Sequence, residues 1–294
     1  MIRFPLRDLA TLLVLGTLPA GAQSLLPPPQ AVPPTNPQAS VLQWIGPTTV
    51  EVAYSRPGKK DRTIFGALVP WNQVWRTGSD NATRLRVSTP IRIEGKALPA
   101  GTYELFTIPR PDRWTIIVQQ SQQQWGSYAY DPAHDVLRVD VTPTHGDAVV
   151  ETFTIGFGDL APDAATMQIR WDDVVVPVRL TVDVVGLVVP TIEAAMAGDG
   201  PKPYFRAAMF YYENHLDIRK AVEYIDAAVA ESPRHIGMLH RQALIHAEAG
   251  DTAGALVAAR KSLAGAAQGG PELRAEYTRL NEALIAKLTG AGKE

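Results

Sequence analysis

The 294-residue chain is predicted to be a β + α multidomain protein: an antiparallel β-sandwich followed by a short α-helical repeat region. Three observations predict this. Between Val41 and Val189 apolar and polar residues alternate in short runs divided by turn residues, the period of half-buried strands. Beyond Pro190 the chain turns alanine-rich and its apolar residues recur three and four apart, the period of helices. All six tryptophans, Trp44, Trp71, Trp75, Trp114, Trp125 and Trp171, fall in the first of these parts, so the large aromatic bodies belong to the strands.

In chain order, residues 1–22 read as a signal peptide. Arg3 and Arg7 form the basic region, an apolar run extends from Leu9 to Leu18, and Ala20-Gly21-Ala22 supplies the small-x-small pattern for cleavage before Gln23. That run of about ten residues is half the ~20 a spanning helix needs, so export to the periplasm or the extracellular space is expected rather than anchoring. Asp8, next to the run, is atypical for a signal. Residues 23–40 form a proline-rich linker, with Pro27, Pro28, Pro29, Pro33, Pro34 and Pro37 favouring extended chain over helix or ladder. It reads as a spacer; the same composition also suits a ligand for a proline-binding groove.

Residues 41–189 form the strand domain. Predicted strands are Val41–Ile45, Thr49–Tyr54, Arg84–Ser88, Ile91–Glu94, Thr102–Ile108, Arg113–Gln119, Val136–Val141, Val149–Phe157, Thr166–Trp171 and Val174–Val182. Turn chemistry separates them at Glu94-Gly95-Lys96, Pro99-Ala100-Gly101, Pro109-Arg110-Pro111-Asp112 and Trp171-Asp172-Asp173. Residues 190–294 form the helical region, with helical pattern over Tyr204–Ser232, Arg234–Ala249 and Thr252–Ala264. A last helix is opened by Pro271 and Glu272 and striped by Leu273, Tyr277, Leu280, Leu284 and Leu288. This region matches itself at an offset of 34 residues, Asp217 on Asp251 and Ala221 on Ala255. That offset resembles a tetratricopeptide (TPR) repeat, in which small residues let paired helices approach. Two such units and a last helix make a short array, so the helical tail is expected to dock on the β domain or to contact another protein.

Composition excludes several functions. A net charge of −2 lacks the basic surplus that nucleic acid would require. With no cysteine there are no disulfides, thiolate metal sites or cysteine nucleophiles. Neither a Gly-x-Ser-x-Gly elbow, a His-Glu-x-x-His helix, a calcium loop nor a phosphate loop is present, and no cofactor or metal is expected. His134 with Asp131 and Asp135 reads as an exposed turn rather than a metal site. Asn81-Ala82-Thr83, a glycosylation acceptor by pattern, reads as a coincidence. Val174–Val189 is apolar but is broken by Pro177, Arg179 and Asp183, so no membrane span is expected in the mature chain.

One ordered set of motifs is more specific. Tyr54-Ser55-Arg56-Pro57 is followed by Arg62-Thr63-Ile64-Phe65-Gly66, Leu68-Val69-Pro70-Trp71, Val74-Trp75-Arg76-Thr77-Gly78 and Asn81-Ala82-Thr83. Leu98-Pro99-Ala100-Gly101-Thr102-Tyr103, Leu105-Phe106-Thr107-Ile108-Pro109, Trp114-Thr115-Ile116-Ile117, Trp125-Gly126-Ser127-Tyr128 and Asp135-Val136-Leu137-Arg138-Val139 come after. In that order, over roughly residues 40–182, the chain resembles the family catalogued as domain of unknown function 2911. The resemblance implies an exported bacterial β domain, often with a helical repeat tail, and brings no activity with it.

The residues themselves point to a site. The segment from Tyr54 to Thr83 exceeds the ~12–15 residues beyond which loops are usually functional or packed. The expected ligand-binding residues are Arg56, Arg76, Asn81 and Thr83, with Trp75 or Trp125 as a flat wall. Arginine forks suit carboxylate or phosphate, asparagine and threonine suit hydroxyls, and an aromatic face suits a sugar ring. The same residues also suit a structural part, in which the arginines lace the loop to the sandwich. On these grounds the chain is expected to be an exported cell-envelope binding or scaffold protein taking a polar ligand or glycan. The alternative is a glycosidase-like hydrolase, for which Glu51, Glu104, Asp140 and Glu151 are strand carboxylates and Glu104 is the first to inspect.

Overall fold

A computed structural model of the chain describes residues 24–26, 32–120 and 122–290. The signal peptide and the middle of the linker lie outside the described residues. The chain divides into two compact units, the first ending at Val184 and the second beginning at Val185.

The first unit contains ten strands: β1 (Gln38–Ile45), β2 (Thr48–Ser55), β3 (Thr83–Val87), β4 (Ile91–Ile93), β5 (Lys96–Leu98), β6 (Gly101–Ile108), β7 (Trp114–Gln120), β8 (Asp135–Val141), β9 (Thr144–Ala161) and β10 (Ala164–Thr181). They form two antiparallel sheets, ordered β1-β2-β3-β6-β7-β8 and β5-β4-β10-β9. The strand alternation is carried into burial: Leu85 and Val87 on β3, Ile91 and Ile93 on β4, and Leu137, Val139 and Val141 on β8 are buried between half-buried or exposed neighbours. Their inward faces meet an aromatic centre. Trp114 lies edge-on to Phe65 at 5.1 Å, Phe65 to Trp171 at 6.3 Å, and Trp75 stacks on Trp171 at 6.0 Å. Edge-to-face and offset rings add to the apolar area that such bodies bury.

The strands depart from the pattern reading in places. Lys96–Leu98 is a strand, paired across a turn in which Glu94 and Gly95 both take positive φ, as a tight hairpin requires. The predicted turn at Trp171-Asp172-Asp173 is a bulge inside one long strand: Asp172 takes φ 55° and the register shifts on either side of it. Pro177 is tolerated in that strand because it falls between the last β9 pairing, Val175 opposite Thr144, and the first β4 pairing, Leu180 opposite Ile93. β1 also begins at Gln38, inside the stretch read as linker.

The second unit has α1 (Val184–Ala197), α2 (Tyr204–Glu213), α3 (Ile218–Glu231), α4 (Ile236–Glu248), α5 (Thr252–Ala266) and α6 (Pro271–Thr289). Val184–Val189, read above as the end of the strand region, opens α1, and Pro190 sits within that helix. The 34-residue offset falls on equivalent places. Asp217 and Asp251 cap α3 and α5 by accepting from Arg219 N at 3.0 Å and Gly254 N at 2.9 Å, and Ala221 and Ala255 are wholly buried. A buried polar chain ties α4, α5 and α6: His240 Nδ1 to Asn281 Oδ1 at 2.9 Å, Asn281 Nδ2 to Ser262 Oγ at 2.9 Å, and Ser262 Oγ to the Ile236 carbonyl at 3.0 Å. Such a chain fixes helix register because every misalignment orphans one of its members.

His246 clasps the two hairpins. Its Nε2 lies 2.9 Å from Asp226 Oδ1 on α3, and its Nδ1 lies 2.7 Å from Asp251 Oδ2 at the start of α5. Burial pulls the imidazole pKa down, but the two carboxylate hydrogen bonds outweigh it, and the net shift is upward from 6.5. The hydrogen bonds from Gly254 N and His246 hold Asp251 below its ordinary 3.8. A raised histidine pKa stabilises the fold fully below the unfolded value and is lost as pH rises through the folded one; a lowered aspartate pKa stabilises above the unfolded value and is lost as pH falls. The helical unit should therefore be most stable between about pH 4 and pH 6.5, weakening toward alkaline pH. Thermal unfolding of the wild-type chain and of His246→Gln from about pH 4 to about pH 9 checks this; an equal alkaline loss in both would exclude His246 as its source.

Candidate functional site

The segment between β2 and β3 is built in two halves. Its first half closes the free edge of β9. Tyr54 Oη donates to the Ile155 carbonyl at 3.0 Å and accepts from Ile155 N at 2.9 Å. Phe153 N donates to the Pro57 carbonyl at 2.9 Å, and Lys59 N to the Glu151 carbonyl at 2.7 Å. Arg56 belongs to this cover: Nε donates to the Phe153 carbonyl at 3.1 Å and Nη2 to Thr154 Oγ1 at 2.9 Å. An uncovered strand edge invites pairing with another chain, which gives these residues a structural reason to be there. Arg56→Ala is therefore expected to cost about 1.5–3 kcal/mol, the range for a charged hydrogen bond, and to leave ligand binding unchanged; denaturant titration and a binding isotherm together check it.

The second half returns to the larger sheet. Trp75 exchanges both backbone hydrogen bonds with Thr107 at 2.8 and 2.9 Å, Thr83 N donates to the Arg76 carbonyl at 3.1 Å, and Asp80 and Ala82 are bonded to the backbone of Gly126 and Gln124. Between them the chain is contorted. Thr77 and Asp80 take φ of 56° and 58° without being glycine, and Gly78 sits at φ 151° where a Cβ would come within 2.9 Å of the Ser55 carbonyl. A buried β-branched residue at positive φ persists only where its surroundings fix it. Here Thr77 Oγ1 donates to Thr107 Oγ1 at 3.1 Å, and Thr83 Oγ1 donates to the Thr77 carbonyl.

Above this turn lies a cleft of about 400 Å³. Its walls include Lys60, Arg62, Gln73, Trp75, Arg76, Ser79, Ser127, Tyr128 and Trp171, and among the described residues no carboxylate lines it. Arg62 is committed to the carbonyls of Lys59 and Gly58. Arg76 is not committed: its Nε is buried without a partner. Its guanidinium lies 5.9 Å from the centre of the Trp125 ring, which stacks on Tyr128 at 5.7 Å and 20°. Both rings are largely exposed, Trp125 at 62% and Tyr128 at 79%. Gly126, at φ 76°, allows this arrangement, since a Cβ there would meet the Tyr128 ring at 2.6 Å. The loop carrying them is anchored at its far end by Tyr130, whose hydroxyl meets Asp135 Oδ2 at 2.8 Å. Burial, reinforced by Asp135, pushes that phenol up to about 12, so it stays a neutral donor.

The sequence-derived site residues are thus distributed. Arg76 and Trp75 line the cleft, with Trp125 beside it. Thr83 is buried beneath it, Asn81 faces the opposite side next to Ser55 and Arg84, and Arg56 lies on the β9 edge. Glu104, 1% exposed, is enclosed: its carboxylate accepts from Gln124 N at 2.7 Å, Gln124 Nε2 at 3.0 Å and Gln122 N at 3.3 Å. Glu51 is held by Arg86 and Ser40, Asp140 by Thr115, and Glu151 by Lys60 N, so each strand carboxylate has its own donors. Among the described residues no group of three or more histidine and carboxylate side chains is placed to hold a metal ion. Lys60, Gln73, Ser127 and Tyr128 joined the cleft without a sequence signal beyond Ser127-Tyr128 lying in the motif that begins at Trp125.

These features define a class: a two-sheet antiparallel β domain with a cationic, aromatic-walled cleft, continued by α-helical hairpins. Residues 36–180 match the model of the family described as "Protein of unknown function (DUF2911)", so the β domain they form belongs to that family. Neither a curated protein nor a solved structure was found to match the chain. No helix among the described residues is long and apolar enough to cross a membrane.

Proposed function

We propose that the protein is exported and works in the cell envelope as a non-catalytic binding protein whose cleft takes a small anionic, ring-bearing ligand such as an acidic sugar. The observation that carries this is Arg76, a guanidinium with a buried, unpartnered Nε at a cleft lined by Lys60 and Arg62 and by no acid. The guanidinium of Arg76, on a cleft with two further cations and no acid among its described lining residues, is suited to a ligand carboxylate, which an arginine fork receives bidentately. Trp75 within the cleft, and Tyr128 at its rim, offer aromatic surface for a sugar ring. Export rests on the basic, apolar and small-residue pattern of the first 22 residues. The helical unit, with its 34-residue offset, is read as a TPR-like surface for a protein partner.

The test is a calorimetric comparison of glucuronate- and galacturonate-bearing oligosaccharides with their neutral counterparts. Acidic ligands are expected to bind, and Arg76→Ala to weaken them about tenfold to a hundredfold, as loss of a charged pair does, while the melting temperature stays near that of the wild type. Equal binding of neutral and acidic sugars, or a collapse of stability in Arg76→Ala, would remove Arg76 from ligand recognition.

A further inference from the structure

The short stretch Ser24-Leu25-Leu26 stands apart from its proline-rich surroundings. Leu25 is 3% exposed, as buried as a core residue. It sits on the face of the larger sheet turned away from the aromatic centre, where Glu51, Ala53, Arg84 and Arg86 face each other across β2 and β3. Arg84 Nη1 donates to the Leu25 carbonyl at 2.9 Å, and Leu25 N points at Glu51 Oε1, a long contact at 3.5 Å. Ser24 Oγ accepts from Leu26 N at 3.1 Å, shaping the turn that presents the leucine. Glu51 is itself fixed by Ser40 Oγ at 2.7 Å and by the Arg86 guanidinium. One backbone N–H, one backbone C=O and one apolar side chain are therefore each met by a positioned partner.

The fit is incomplete. A small, partly open pocket of about 40 Å³ remains beside Leu25, Leu26, Gln38, Ser55, Asn81 and Arg84. Arg84 Nε, buried, has no partner. A segment that had merely collapsed on a sheet would need no such pair of charged groups aimed at its backbone.

We propose that this slot is a peptide-binding site that reads an extended chain bearing one leucine, and that in the resting molecule it is filled in cis by Ser24–Leu26. The site is distinct from the anionic cleft, and its test does not depend on it. Tethering gives the resident segment an effective concentration on the order of millimolar, so a free peptide cannot displace it at micromolar concentration. Releasing the tether segment should open the slot.

The experiment uses the full chain and a fluorescein-labelled peptide of sequence Gln-Ser-Leu-Leu-Pro-Pro. Wild type is expected to bind it undetectably. Leu25→Asp, which cannot seat a charge in the slot, is expected to bind it in trans, and Leu25→Asp combined with Arg84→Met to bind about tenfold more weakly, the loss of one charged hydrogen bond. The peptide with aspartate in place of its first leucine should not bind. Circular dichroism shows whether Leu25→Asp is folded; should it unfold, Leu25→Gly supplies the emptied slot. The proposal is overturned if the folded, emptied variant ignores the peptide, if Arg84→Met leaves its affinity unchanged, or if wild type binds equally well. A native dimer that Leu25→Asp dissociates would overturn the assignment in cis, placing the segment in a second copy.

Discussion

Trp114→Ala is expected to lower the unfolding free energy of the β unit by about 3–5 kcal/mol, the cost of truncating a fully buried large aromatic residue. The indole is 1% exposed and stands at the centre of the ring cluster, edge-on to Phe65 at 5.1 Å and to Trp75 at 6.2 Å. Its removal leaves a cavity that β7 cannot close, because that strand is paired on both sides, to β6 and to β8. No disulfide holds the sandwich together, since the chain has no cysteine. For a domain whose whole stability is of order 5–15 kcal/mol, such a loss takes a large share. Trp44, 63% exposed on β1, is the internal control; Trp44→Ala should move the denaturation midpoint by less than about 0.5 kcal/mol equivalent. Denaturant titrations of the two variants, followed by far-ultraviolet circular dichroism, decide the matter. Equal effects would mean that the ring cluster does not dominate the core.

The strand alternation was legible because a period of two is a direct consequence of one face being buried, and β3, β4 and β8 obey it residue by residue. The helical offset was legible for a similar reason: Asp217 and Asp251 must cap, and Ala221 and Ala255 must be small where helices touch. Local chemistry failed where the deciding force was tertiary. Asp172 and Asp173 carry turn composition, yet β9 pairs with β10 on both sides of them and the extra residue is absorbed as a bulge. Val184–Val189 is apolar and valine-rich, which suits a strand by propensity, yet it opens a helix. At the site, composition could not separate Arg56 from Arg76. Both stand in a long polar segment, and only their neighbours differ: a strand edge for one, and an open cleft with a stacked ring pair for the other. Leu25 carried no periodic signal at all, because its burial depends on groups more than twenty residues away.

Glu104→Ala is expected to produce the second large effect, and it links the fold to the cleft. Glu104 accepts three hydrogen bonds from Gln122 and Gln124, inside a buried setting that also holds Gln119, whose Oε1 receives Gln124 Nε2 at 2.8 Å. Removing the carboxylate orphans Gln124 N and weakens the hold on its side chain. At about 1–3 kcal/mol per buried unsatisfied group, a loss of about 2–5 kcal/mol follows. The damage is also directional. The residues next along the chain are Trp125, Gly126, Ser127 and Tyr128, and Ser127 Oγ donates to the carbonyl of Val74, a neighbouring lining residue of the cleft, at 3.2 Å. A loop released at Gln124 no longer presents Tyr128 as a wall, so binding should fall together with stability. Glu104→Gln separates this role from a catalytic one. Glutamine keeps one acceptor but turns the other oxygen into a donor facing donors, so its stability should lie between those of the alanine variant and the wild type. A catalytic carboxylate would behave in the opposite sense, with the glutamine variant stable and inactive. Paired with Arg76→Ala, which should lose ligand and keep stability, the Glu104 variants divide the site into a part that touches the ligand and a part that holds the touching loop in place.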